Sequence, residues 1–239
     1  MRTMTTHDGG GPADGPEGPE GAVQDAVRQV KPKLRGWLHT AMLPISLIAG
    51  IVLIVSAPTG LGKIGGAVFL AASALLFGTS GLYHRFYWGQ RADGVLRRMD
   101  HSNIFVFIAA TYTPISLMLL EGTDRVALLC VVWGAAVLGL LFRLFWLSAP
   151  RALYTVLYIL VGWAAVGWLG PILANGGPAV LALIAAGGLC YTGGAVVYAT
   201  KRPNPSPRWF GFHEIFHAST IGGFVCHYIA ISLATYAAG

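Results

Sequence analysis

From Trp37 onward the sequence alternates between apolar stretches and short polar gaps. Each stretch is about 20 residues long, the length a helix needs to cross ~30 Å of hydrocarbon. The stretches lie near 37–57, 63–86, 101–120, 125–147, 151–173, 178–199 and 212–236. The gaps carry turn chemistry. Pro58-Thr59-Gly60 follows the first stretch, Asn175-Gly176-Gly177-Pro178 separates the fifth and sixth, and Pro203-Asn204-Pro205-Ser206-Pro207 precedes the last. Helices are expected because an open sheet edge in lipid would leave backbone groups unpaired. The pattern predicts an all-α integral membrane protein, a seven-transmembrane-helix bundle over residues 34–239.

Composition strengthens this reading. Only 11% of the 239 residues are charged, where a soluble domain carries roughly 25%; that is too little charge to cover a water-facing surface. Residues 1–33 are of another kind. Gly9-Gly10-Gly11-Pro12 and the surrounding Gly, Pro, Glu and Asp residues bury too little apolar surface to offset chain entropy, and a disordered tail is expected there. No basic segment followed by an apolar one marks a cleavable signal peptide, so the first span itself is expected to direct insertion. Cys130, Cys190 and Cys226 each sit inside an apolar stretch, without zinc-ribbon or redox spacing.

The net charge of +6 would suit a nucleic-acid binder only if it formed one polar face. Instead the basic residues cluster between spans. Counted on alternating sides, 14 fall on the side of the N-terminus, among them Arg85, Arg97, Arg98, Arg143, Arg151 and Arg208, and 2, Lys63 and Arg125, fall opposite. The bias expected of cytoplasmic loops places the N-terminus in the cytoplasm and, after seven crossings, the C-terminus outside. Membrane lipids, and no nucleic acid, are the expected partners of a multi-pass protein of the cell membrane.

Ionisable groups at membrane depth are costly and mark candidate function. His84 ends the second stretch with Ser80 one turn before it, Asp100 opens the third, and His213 and His217 lie in the first turns of the seventh. The alternation brings all of them to the cytoplasmic side. Residues four apart project from one helix face, so His213 and His217 can share a metal. Three imidazoles and a water would complete a tetrahedral catalytic zinc site, with Asp100 accepting a hydrogen bond from that water. A lone histidine at a helix end is more often a cap or an interfacial residue. Three with an aspartate at one depth are harder to assign that way. His213-Glu214-Ile215-Phe216-His217 is also a literal H-E-x-x-H protease signature. The only later histidine is His227, ~15 Å farther along a helix. A third ligand must therefore come from upstream, which favours His84. His39, His101 and Arg143 lie near the same rim. So do Trp37, Trp88, Trp146 and Trp209, expected as an interfacial belt.

Ser80-Gly81-Leu82-Tyr83-His84-Arg85, Arg98-Met99-Asp100-His101-Ser102, Ala110-Thr111-Tyr112-Thr113-Pro114 and Gly211 to His217 together resemble the hemolysin III family. That family is grouped with the progestin and adipoQ receptors, including the adiponectin receptors, and with the alkaline ceramidases. The resemblance covers roughly residues 34–236. It implies a seven-helix bundle with its N-terminus inside, Zn2+ held by His84, His213 and His217, Asp100 on the metal's water, and Ser80 beside it. It further implies a metal-dependent hydrolase acting on a lipid amide or ester. The alternative is a non-catalytic, receptor-like membrane sensor in which zinc is structural. A cytolytic pore and an intramembrane metalloprotease are the remaining readings.

Overall fold

The computed structural model describes residues 32–238, which belong to one compact unit. The tail expected over 1–33 lies, except for Pro32 and Lys33, outside the described residues. Helices α1 (Trp37–Ser56), α2 (Gly60–Arg85), α3 (Gln90–Leu119) and α4 (Gly122–Phe145) follow one another across short connections. Then come α5 (Arg151–Gly162), a 3-10 turn (Ala164–Trp168), α6 (Leu169–Thr200) and α7 (Phe212–Tyr236). There is no strand among the described residues, only one isolated bridge between Ser206 and Phe210.

Six helical segments among the described residues are long and apolar enough to cross a membrane, with Arg151–Thr200 counted as a single segment of 50 residues. The fifth and sixth stretches both fall within that segment. It is interrupted twice: the helix tightens into the 3-10 turn after Gly162, and it breaks at Gly177, whose φ of 75° and ψ of 174° are not helical. Pro178 follows, a residue that cannot donate a backbone bond to the preceding turn.

The third helix also differs from its expected apolar span. It begins at Gln90, so Asp100 lies well inside α3. Residues 90–99 are polar but include good helix formers such as Ala92, Leu96, Arg97 and Arg98, which extend the helix past its apolar part. α3 is the central element: 72% of its apolar window is buried, against 28% for α1 and for α4. It packs against α2, α4 and α7, while α7 lies along α6 and touches α1. The outward faces are apolar, as at Ile48, Val55, Leu138 and Phe145, an arrangement suited to lipid and costly in water.

Two connections position the residues at the end of the bundle where α1 begins. The backbone N–H groups of Lys33 and Leu34 donate to the carbonyls of Arg208 and Trp209, at 2.9 and 3.3 Å, tying the entry to α1 to the loop before α7. Gly36 then turns the chain at φ +80°, where a Cβ would stand 2.8 Å from the backbone nitrogen of Arg85 and 3.0 Å from the carbonyl carbon of His84. Only glycine suits that conformation and that closeness. Trp37 and Trp209 remain about half exposed, with Arg85 and Lys33 over their rings.

Candidate metal centre

α6 ends at Lys201 in a left-handed conformation. The proline-rich loop that follows cannot continue the helix, and Asn204 Oδ1 accepts from the Phe212 N–H at 3.2 Å as α7 begins. The first two turns of α7 carry His213 and His217. They meet His84 from the last turn of α2. His84, His213 and His217 each offer a ligand atom, and these atoms all lie within 4.8 Å of one another. The Nε2 atoms of His84 and His213 are 3.2 Å apart. Two nitrogens bound to one tetrahedral zinc, each at 2.0–2.1 Å, stand about 3.3 Å apart. The donor set and the spacing of this pair fit such an ion.

Asp100 approaches the same nitrogen from α3, with its Oδ2 3.5 Å from His84 Nε2. Ser80 hydrogen-bonds the Asp100 carboxylate. Ser80, Asp100 and His217 line one common cavity. Its walls are mostly apolar, with Leu76, Ile104, Phe107 and Ile108 among them.

The other residues near this rim separate into distinct roles. Glu214 is fully buried but does not face the imidazoles. Its Oε2 accepts from the Gly211 N–H at 2.8 Å, and its Oε1 pairs with Arg35 Nε. That engagement caps α7 and anchors the entry to α1, which leaves the H-E-x-x-H glutamate away from the place a protease base would occupy. His101 is also turned away, with Nδ1 on the Arg97 carbonyl at 2.7 Å and Nε2 near the Tyr198 hydroxyl at 3.3 Å. Arg143 is buried with its guanidinium 4.4 Å from the Tyr154 ring centre.

His39 is the addition that spacing does not demand. It stacks on His217, with ring centroids 3.8 Å apart and planes 6° from parallel, and it lines the cavity. Its signal in the sequence is depth alone, in the first turn of α1.

The chain matches the family described as Haemolysin-III related over residues 27–228. It is 33% identical over 157 residues to the Hemolysin-3 homolog of Bacillus subtilis (strain 168), covering 65% of this chain and 70% of that protein. It is 29% identical over 182 residues to Hemolysin-3 of Bacillus cereus, covering 75% and 80%. It is also 31% identical over 164 residues to the heptahelical transmembrane protein ADIPOR2 of Oryza sativa subsp. japonica, covering 60% and 69%. The chain is a multi-pass integral membrane protein that belongs to the haemolysin-III-related family.

Proposed function

We propose that this protein is a zinc-dependent hydrolase of lipid amides or esters, with its site at the cytoplasmic end of a seven-helix bundle. The observation that carries the reading is the meeting of His84, His213 and His217 beside Asp100 at one end of an apolar cavity. His84, His213 and His217 would hold the metal. When bound, zinc in such a site supplies an activated water at neutral pH and polarises a carbonyl oxygen. Asp100 Oδ2 would take a proton from the attacking water and deliver it to the departing amine or alcohol. Ser80 fixes the carboxylate, and the apolar walls orient the hydrocarbon chain and exclude bulk water. Membrane lipids enter as substrate because the cavity is lined for hydrocarbon.

A structural zinc is ordinarily closed by four protein ligands, whereas a catalytic one keeps a position open. Here three imidazoles converge, with Asp100 beside them, and this favours turnover over a purely structural metal. In the test, purified zinc-loaded protein in phospholipid nanodiscs is given N-acyl and O-acyl lipids, and released fatty acid is measured. Chelator-reversible release supports the proposal. A fully metallated protein that releases none from either class defeats it and favours a sensor.

The topology proposed with this function has its N-terminus in the cytoplasm and its C-terminus outside. Its supports are the 14-to-2 split of basic residues and the length of the Arg151–Thr200 segment. A straight helix of 50 residues would be ~75 Å long, more than twice the ~30 Å hydrocarbon core, and the non-helical Gly177 is the break at which a second crossing would begin. In a background lacking Cys130, Cys190 and Cys226, Lys63→Cys is expected to react with an impermeant maleimide in intact cells. Arg208→Cys is expected to react only after permeabilisation, and the reverse pattern would overturn the orientation.

A further inference from the structure

His227 lies on α7, ten residues beyond His217, in the wall of the same cavity. It is 8% exposed. Its Nε2 is 3.1 Å from the Ile184 carbonyl oxygen. A carbonyl only accepts, so Nε2 carries the proton, and Nδ1 of the neutral ring is left as an acceptor. That Nδ1 is buried and has no partner. A polar atom in this condition is costly at membrane depth. The fold nonetheless makes room for the ring: a Cβ at Gly187 on α6 would stand 2.3 Å from His227 Cδ2. Tyr191 packs edge-on against the imidazole at 5.3 Å, and its own hydroxyl also lacks a partner. The placement is specific, and the proposed metal chemistry does not use it.

We infer that His227 is a second polar anchor in the cavity, accepting at Nδ1 a hydrogen bond from a hydroxyl carried partway along the hydrocarbon chain of a bound lipid. The inference deepens the proposed function and rests on it for the position of the lipid's acyl end. Ten residues of helix separate His217 from His227 by ~15 Å. An extended chain advances about 3.5 Å per three bonds, so the hydroxyl falls about a dozen bonds from the acyl carbon. The ligand class is therefore a lipid with a mid-chain hydroxyl. A hydroxyl next to the acyl carbon would sit at the metal centre instead.

The test uses three probes, octadecanoate, 12-hydroxyoctadecanoate and 2-hydroxyoctadecanoate, with binding measured in nanodiscs and zinc content determined on the same samples. Wild type is expected to bind the 12-hydroxy acid about five-fold more tightly than octadecanoate, the scale of one net hydrogen bond. His227→Phe fills the space without an acceptor and is expected to bind the two equally. His227→Gln retains an acceptor and is expected to keep part of the preference, which separates lost recognition from lost folding. Any preference for the 2-hydroxy acid should be the same in wild type and His227→Phe. Equal binding of octadecanoate and its 12-hydroxy form by wild type would overturn the inference, as would a preference that survives in His227→Phe. Discrimination at His227 in protein that holds no zinc would sustain the anchor and remove the metal reading, so the two fail separately.

Discussion

His84→Ala and His213→Ala are each expected to strip zinc from the purified protein, although the two residues are 129 positions apart. Removing a group that merely supports a ligand typically lowers metal affinity ~10–100-fold. Loss of a ligand should exceed this, so stoichiometry should fall from about one to near zero after gel filtration. Helix content should remain, because neither ring is a principal packing element of the apolar core around Phe69, Phe77 and Phe105. His39→Ala is the informative control. His39 touches His217 through its ring face and is outside the trio whose ligand atoms converge, so its loss should leave the metal in place. Full zinc content in His84→Ala would end the shared-ion proposal. Equal loss in His39→Ala would show instead that local packing governs retention.

Much of this arrangement is legible in the linear sequence, and the reasons are physical. The hydrocarbon thickness sets the spacing of the apolar stretches, and alternation of sides assigns His84, Asp100, His213 and His217 to one depth before any contact is known. The four-residue interval between His213 and His217 fixes a shared helix face. What depth cannot supply is azimuth, the direction in which a side chain leaves its helix. His39 and His101 are equally close to the rim in sequence, yet His39 stacks on a candidate ligand while His101 turns toward Arg97 and Tyr198. The role of Glu214 is hidden for the same reason, since its partner Arg35 is 179 residues away. Apolar periodicity also cannot locate the start of α3, because Gln90 to Met99 is helical without being a membrane span. Nor does it reveal the cavity, a property of how α3, α6 and α7 fail to fill the space between them.

Asp100→Asn is expected to separate chemistry from metal binding. The substitution keeps the shape of the side chain and an oxygen near His84, but the amide cannot take up a proton at neutral pH. In the fatty-acid release assay, turnover should fall ~10²–10⁴-fold, the contribution of a positioned general acid or base. Zinc content should stay near that of wild type, because Asp100 stands beside the imidazole trio and is not one of its converging ligands. Ser80→Ala should produce the same direction of change on a smaller scale, since it removes only a hydrogen bond to the carboxylate, on the order of ten-fold. The ordering of these two effects is the discriminating result. If Asp100 served mainly to hold His84 in place, Asp100→Asn would lose metal and activity in parallel, and added zinc would restore both. Turnover lost at full metal occupancy, unresponsive to further zinc, requires the carboxylate to act on the proton. A variant with complete zinc and undiminished turnover would remove Asp100 from the chemistry altogether.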